Sequence, residues 1–201
     1  MSFRKEEKLH VNKNQLLNLL EWVYKNDGYK LFDTRIVSST YLDNDQMKMF
    51  HDSEEGVVPR KKIRIRSYTK QAHELTQRSL EIKTSSVEGR YKTTNQDFDL
   101  NRIMTIGLLD SDYGICKPKV RVSYKRDYYK IHNVRLTIDR NIEYIKVNKL
   151  GNGTYKKREE DIIVEVKANN FVPIEYLHKK FHFSRIRFSK YSKAINLLYF
   201  L

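Results

Sequence analysis

Residues 61–68, KKIRIRSY, alternate between cationic and apolar side chains over most of their length. Successive side chains of a β-strand point to opposite faces, so this pattern predicts a strand. Lys62, Arg64 and Arg66 share one face of it, and isoleucines occupy the other. One such set of charges is usually part of a solvated surface, so the segment alone does not identify a site.

Other predicted strands also place charges two residues apart on one face. The period of two puts each set on the side opposite the apolar residues. Because the pattern recurs, it favours a sheet with one strongly charged face over an ordinary solvated surface. The further sets are Arg4, Glu6 and Lys8; Glu81 and Lys83; Arg135, Thr137 and Asp139; and Glu165 and Lys167.

Helix signals are fewer than strand signals. Asn12, with Gln15 three positions later, forms a capping-box pattern at the start of an apolar-faced helix. Ser189 is predicted to cap a last helix, and Asp99 a short one that runs to Leu109. The predicted strands cover 3–11, 36–41, 61–68, 80–84, 117–129, 134–144 and 162–167, with a hairpin turn at 151–153 and a helix over 173–181.

The composition predicts a basic protein with an anionic partner. Among 201 residues, 39 lysines and arginines outnumber 25 aspartates and glutamates, which gives a formal charge of +14. Nucleic acid, anionic lipid, nucleotides and phosphate chains are all candidates, as is a basic ribosome-associated protein. The length predicts one domain over 1–201, and the one cysteine, Cys116, excludes an intrachain disulfide.

The sequence contains no run of about 18 apolar residues, so we predict no transmembrane helix. The start, MSFRKEEKLHV, has no apolar run behind its charges and does not resemble a secretory signal. These observations predict a cytoplasmic protein.

The charged faces lead to the functional hypothesis. If the sheet closes into a barrel, these faces line one cavity. Cations that outnumber anions in a cavity repel one another at low dielectric, so such a cavity requires a polyanion. A triphosphate or a phosphate chain meets this requirement, because arginine binds phosphate oxygens bidentately and lysine acts as a point charge.

The ordered series of charged segments resembles the VTC domain, the catalytic polyphosphate polymerase domain of the vacuolar transporter chaperone complex. That domain is one of the triphosphate tunnel metalloenzymes, which are related to the CYTH proteins. No single segment is specific, and the resemblance rests on their order from residue 3 to residue 195. The segments are Arg4–Lys8, Ser39–Asp43, Lys62–Tyr68, Leu80–Lys83, Tyr124–Arg126, Val134–Asp139, Val164–Lys167 and Phe188–Tyr191.

The resemblance implies an α+β, β-dominated fold: a closed eight-stranded antiparallel β-barrel, the triphosphate tunnel, with flanking helices. It implies transfer of the γ-phosphate of ATP, or of another triphosphate, to a growing inorganic polyphosphate chain. Sequence-specific nucleic acid is not an implied partner. A metal-dependent tri- or polyphosphatase on the same fold, and a non-catalytic polyphosphate- or RNA-binding module, remain alternatives.

The resemblance also assigns roles to residues. The implied catalytic set is Lys83, Arg126, Arg135 and Lys190. The implied ligand of Mn²⁺ or Mg²⁺ is Glu165, with Glu6 and Glu81 as weaker candidates. The residues implied to contact phosphate or nucleotide are Lys8, Arg64, Arg66, Lys83, Tyr124, Arg126, Arg135, Lys167, Ser189 and Lys190.

Two features depart from the family pattern. Arg4 stands where CYTH hydrolases have the first glutamate of Glu-x-Glu-x-Lys, which removes a carboxylate and favours the polymerase branch. Simple alternation along 119–125 also places Lys125 on the polar face, and not Tyr124 and Arg126. Either a β-bulge intervenes or the assignment of these two residues is incorrect.

Overall fold

A computed structural model describes residues 4–69, 77–148, 152–169 and 180–200. Its strands are β1 (Arg4–Val11), β2 (Tyr29–Asp43), β3 (Arg60–Thr69), β4 (Arg78–Ser86), β5 (Gly89–Asn95), β6 (Leu108–Asp110), β7 (Gly114–Ile131), β8 (Val134–Val147), β9 (Gly153–Glu159), β10 (Ile162–Asn169) and β11 (Ser184–Arg185). Its helices are α1 (Lys13–Lys25), α2 (Lys48–Glu55), α3 (Leu100–Thr105) and α4 (Lys190–Ile195), which a π-helical turn over Asn196–Phe200 extends. None of the helices in these ranges is long and apolar enough to cross a membrane.

The eleven strands form one sheet that is not closed into a barrel. Its order is β11-β1-β10-β8-β7-β2-β3-β4-β5, and β6 and β9 pair with β7 and β8. The fold is β-dominated as predicted, but the prediction of a closed eight-stranded barrel is wrong.

The prediction of a closed barrel failed for a physical reason. Alternation along a strand shows which side chains share a face, but it does not show whether the outer strands of a sheet pair with each other. One end of the strand order is β11, with two residues, and the other is β5, whose side chains are mostly exposed. Short and polar strands are common at sheet edges. The repulsion argument for an enclosed polyanion also fails, because carboxylates pair with cations on the same face, as Glu81 does with Arg64.

The chain divides into two compact units, which are described separately. Unit 1 comprises Met1–Ile36, Tyr124–Ile142 and Glu159–Phe188. Unit 2 comprises Val37–Ser123, Glu143–Arg158 and Ser189–Leu201. Strands β2, β7, β8 and β9 contribute residues to both units. The prediction of a single domain stays a prediction.

The core of unit 1 lies between α1 and one face of β1, β8 and β10. The predicted capping box is confirmed, because the Gln15 N–H donates to the Asn12 side chain and the Asn12 N–H donates to the Gln15 side chain. The buried side of α1 presents Leu16, Leu19 and Val23 to the sheet. The opposite face of these strands is therefore left for the charged residues.

Helix α2 of unit 2 was not predicted, because its cap comes from upstream. Met47, the residue before the helix, provides no side-chain hydrogen bond to it. Instead the buried Asp43 carboxylate accepts the N–H groups of Met49 and Phe50, at 3.1 and 3.0 Å. The Tyr191 hydroxyl of α4 donates to the same carboxylate at 2.5 Å. Burial raises the pKa of Asp43 although all these donors oppose the increase.

The other helix predictions have mixed outcomes. The helix capped by Asp99 ends at Thr105, well before the predicted Leu109. Gly107, at φ 106°, ends the helical path, and the short strand β6 follows. Ser189 caps α4 as predicted. The helix predicted over 173–181 lies outside the described residues except for its last two positions, and β5, β6 and β11 were not predicted.

Candidate functional site

The charged face of unit 1 lies on the side of β1, β10 and β8 opposite the α1 core. The strand register places Glu6 opposite Lys167, and Lys8 opposite Glu165. Across β10, Lys167 is also opposite Arg135 of β8. We call the following residues the mixed-charge cluster: Glu6, Lys8, Arg126, Asp139, Glu165 and Lys167.

Glu165 connects several members of this cluster. Its carboxylate lies 2.7 Å from the Lys167 ammonium and 3.9 Å from the Arg126 guanidinium. Burial of Glu165 opposes ionisation, but Lys167 and Arg126 outweigh it and lower the pKa of Glu165 to about 2. Lys167 also lies 3.4 Å from Glu6, so one ammonium serves two carboxylates.

Arg126 is held by a bidentate ion pair. Its Nε and Nη2 lie 2.6 and 2.7 Å from the two oxygens of Asp139, and its guanidinium lies 5.2 Å from the centre of the Tyr124 ring. Burial opposes the charge of Arg126, but Tyr124 and Asp139 raise its pKa above the usual value. The side chain is therefore a cation in a fixed position, whose Nε–Nη2 edge is held by Asp139.

Burial shows which side chains of β7 face inward and which face outward. Tyr124 is buried on the same face as Val120 and Val122, whereas Lys125 is exposed. The inward face of β7 thus changes from apolar to polar along its length. The structure places Tyr124 and Arg126 on the same face, 5.2 Å apart, and their contact with phosphate stays a prediction. The outward basic residues of the first half of β7 made the opposite face look like the polar one.

At the margin of the cluster lie its member Lys8 and the predicted residue Arg135. The Lys8 ammonium donates to the carbonyl oxygen of Phe188 at 2.8 Å and lies 3.7 Å from Glu6. Arg135 is exposed and lies beside Lys167 on the neighbouring strand.

The charged face of unit 2 is formed by β3, β4 and β5. Residues directly opposite one another in antiparallel strands share a face, and the register places Lys62 opposite Lys83, and Lys83 opposite Lys92. Glu81 is the one carboxylate on this face of the three strands. We call the seven basic residues there the cationic face: Arg60, Lys62, Arg64, Arg66, Lys83, Arg90 and Lys92.

Glu81 anchors the buried part of the cationic face. Its carboxylate lies 2.5 Å from Arg64, 2.5 Å from Lys92 and 4.0 Å from Arg66. Burial opposes ionisation of Glu81, but Arg64, with the other cations, lowers its pKa to about 2. One carboxylate cannot neutralise three cations, so the face keeps a net positive charge.

Tyr41 lies among the cations of this unit. Its hydroxyl accepts a hydrogen bond from Arg64 at 3.3 Å, and its ring stacks on Tyr191 with 5.1 Å between ring centres. Burial favours the neutral phenol, but Arg64, Arg66 and Lys190 outweigh it and lower the pKa of Tyr41 to about 7. This low pKa indicates a strong positive electrostatic potential at the Tyr41 hydroxyl.

Residues at the start of α4 also belong to the cationic part of unit 2. The Lys62 ammonium donates to the Ser189 hydroxyl at 3.0 Å. Lys190, the first residue of α4, contributes to the low pKa of Tyr41. Both predicted residues of this segment are therefore in unit 2 with Arg64, Arg66 and Lys83.

The carboxylates of unit 1 fit a divalent cation only in part. In the described ranges, no group of three or more His, Cys, Asp or Glu side chains is placed to hold a metal ion. Mg²⁺ and similar ions are often bound by one or two carboxylates together with substrate phosphates. Glu165 and Glu6 fit that mode, whereas Glu81 does not, because it is buried against Arg64 and Lys92.

Sequence reasoning missed Lys92, Tyr41 and the role of Asp139 as the partner of Arg126. Lys92 could have been found, because β4 and β5 are joined at Val87 and Glu88 and the register then places it opposite Lys83. No local pattern marks Asp139 as an ion-pair partner, because strand alternation gives a face and not a contact.

The fold and these faces define a β-dominated protein whose sheet carries many charged residues. Comparison with known proteins identifies its family. The VTC domain family matches residues 3–112 and 108–199, so the chain belongs to this family and the resemblance seen in the sequence is confirmed. A solved structure from Vibrio parahaemolyticus, with the provisional name adenylate cyclase, has 16% identity and a TM-score of 0.55 over 97% of this chain and 98% of that chain. That likeness shows the fold alone. No curated protein matches the chain in sequence.

Proposed function

We propose that the chain is an ATP–polyphosphate phosphotransferase, that is, a polyphosphate polymerase. An oxygen of the terminal phosphate of a polyphosphate chain attacks the γ-phosphorus of ATP and forms a new P–O bond. The bond from that phosphorus to the bridging oxygen breaks, and ADP leaves with its electron pair. This reaction requires no nucleophile from the protein, and catalysis depends on positioning and charge neutralisation.

The observation that carries the proposal is the cationic face, where seven basic side chains share three adjacent strands with one carboxylate. The excess of basic over acidic residues on this face favours an anionic ligand. A phosphate chain repeats its negative charge along its length, so it matches a row of ammonium groups better than a single small anion does. Arg64 and Arg66 add buried positive charge beneath this face, and Lys83 and Lys190 supply point charges.

The mixed-charge cluster is proposed to act on the reacting phosphates. Arg126 and Arg135 would bind their oxygens, with Lys8 and Lys167 as further cations. Glu165, with Glu6, would hold Mn²⁺ or Mg²⁺, and when bound the ion would neutralise charge on phosphate oxygens. Because the pKa of Glu165 is about 2, this carboxylate is ionised at neutral pH and needs to release no proton before a cation binds.

The test is a product assay on the full chain. Purified protein is incubated with ATP and Mn²⁺ or Mg²⁺, and products are resolved by gel and by phosphorus NMR. The expected result is long phosphate chains and ADP, which Glu165→Ala abolishes and Lys83→Ala reduces through weaker binding. Glu143→Gln is the matched control, because Glu143 forms ion pairs with Arg158 and Lys156 outside both charged groups.

Three other results would each overturn the proposal. Free phosphate without chains would identify a triphosphatase. Cyclic AMP with pyrophosphate would identify a cyclase, the activity in the name of the Vibrio protein. Tight polyphosphate binding without turnover of any nucleotide would identify a binding module.

A further inference from the structure

A pocket of about 270 Å³ lies in unit 1 beside the mixed-charge cluster. It is formed at the turn between β7 and β8 and at the end of β10. Lys130, Arg135 and Lys167 line it with three cationic side chains, and Asn133 and Asn169 add two amides. None of the described residues that line it is acidic. We call it the β7–β8 pocket.

The charge balance of the pocket differs from that of the neighbouring cluster. In the cluster, Glu165 and Asp139 compensate Lys167 and Arg126 at hydrogen-bonding distance. The pocket has cations and amide groups but no carboxylate in its lining. Ammonium, guanidinium and amide N–H groups are all donors, and this set suits phosphate oxygens.

Lys167 connects the pocket to the cluster. Its ammonium contacts Glu165 and Glu6, and the same side chain forms part of the pocket wall. The alternation of β10 and β8 continues this face from Glu165 to Lys167 and then to Asn169. A linear anion that binds at the cluster can therefore continue into the pocket along one face.

We propose that the β7–β8 pocket binds the phosphate units of an inorganic chain that extends beyond those held at the mixed-charge cluster. The inference rests on the proposed function, because it takes a phosphate ligand at the cluster as given. At about 30 Å³ for each water molecule, the pocket replaces about nine waters, which is room for more than one phosphate group. The pocket thus gives the site a preference for long chains over triphosphate.

The experiment compares ligands of different length by isothermal titration calorimetry at fixed ionic strength. The ligands are tripolyphosphate, a linear polyphosphate of several tens of units, and ATP. The variant is Lys130→Ala combined with Asn133→Ala, because neither residue belongs to the cluster. The control is Lys125→Ala, which removes an exposed charge from the same strand without changing the pocket.

The expected result is a loss of about tenfold in affinity for the long chain in the double variant, with tripolyphosphate unchanged. Lys125→Ala binds all ligands like the wild type. Retained tripolyphosphate binding also shows that the double variant is folded.

Several results would overturn the inference. Equal losses for short and long chains, or the same loss in Lys125→Ala, would show a general field effect. A loss confined to ATP would assign the pocket to a nucleoside. Unchanged long-chain binding in a variant that binds tripolyphosphate would refute the inference alone. A wild-type chain that does not bind tripolyphosphate would refute the proposed function, and the inference with it.

Discussion

The mixed-charge cluster of unit 1 and the cationic face of unit 2 use the same residue types in opposite proportions. In the cluster, three carboxylates accompany three cations, and Arg126 and Lys167 are both paired at hydrogen-bonding distance. On the cationic face, seven basic residues share three strands with one carboxylate, Glu81. The first arrangement can accept a cation as well as phosphate, whereas the second favours anions alone.

This difference suits two tasks that the proposed polyphosphate polymerase would perform. Binding a long anion requires an excess of positive charge and tolerates variation in position. Transfer of a phosphoryl group requires fixed charges of both signs, so that an ion and the reacting oxygens are held in line. The following predictions test whether the two groups divide these tasks.

The largest expected effect is on turnover. Glu165→Gln removes the ionised carboxylate of the mixed-charge cluster, so turnover with Mn²⁺ or Mg²⁺ should fall by at least about a hundredfold. Affinity for polyphosphate should not fall, because a negative charge has been removed. Rates of ADP release and binding isotherms measure the two quantities. Glu21→Gln, an exposed carboxylate of the same unit, is the control, and full turnover in Glu165→Gln would contradict the division of tasks.

The second effect is on stability. Glu81→Gln leaves the buried Arg64 without its charge partner, so the free energy of unfolding should fall by about 3 kcal/mol. Urea unfolding of both proteins measures the difference. The more exposed pairs of Glu143 should matter less, with a loss below about 1 kcal/mol for Glu143→Gln. Equal losses of unfolding free energy in the two variants would show that the buried Glu81–Arg64 ion pair contributes no more than an exposed pair.

The third effect is a pH dependence that the cationic face causes. The pKa of Tyr41 is about 7 in the folded chain, against an ordinary value of 10. Between these values the unfolded chain binds the proton that the folded chain has released, so Tyr41 stabilises the fold increasingly as pH rises. This contribution is lost as pH falls through 7.

The stability advantage of the wild type over Tyr41→Phe should therefore grow by about 1 kcal/mol per pH unit above pH 7. Urea unfolding at several pH values and the near-ultraviolet absorbance of tyrosinate measure it. Parallel stability curves for the two proteins would show that the positive field around Tyr41 is weak.

The smallest effect is on binding to the cationic face. Lys83→Ala should weaken polyphosphate binding by about three- to tenfold and reduce the slope of log affinity against log salt by about one. Lys13→Ala, an exposed residue of α1, should change the slope less. If the two variants have the same slope, the phosphate chain does not contact Lys83.

The strands that carry charge could be predicted because their alternation is local. Lys62, Arg64 and Arg66 lie on one face of β3 as the pattern predicts, with Ile63 and Ile65 on the other. Closure of the sheet could not be predicted this way, because it depends on pairing between strands far apart in sequence.

The strand faces that carry the charged residues were predicted, but their ion-pair partners were not. Arg126 was assigned through the family resemblance, whereas the local pattern took the opposite face of β7 as the polar one, because the outward face of β7 is more basic than its inward face. Helix α2 was missed because Asp43 caps it from outside the usual position. Neither the position of the Asp43 cap nor the ion pair of Arg126 with Asp139 follows from local alternation.

The contact between Asp43 and Tyr191 also bears on how the protein is made. The two residues are 148 positions apart, and the bond ties the first turn of α2 to the helix that begins with Lys190. During synthesis, Asp43 leaves the ribosome long before Tyr191 exists, so this part of unit 2 cannot be complete while the chain grows. Lys190 therefore reaches its place only after the whole segment from Asp43 to Tyr191 has been translated.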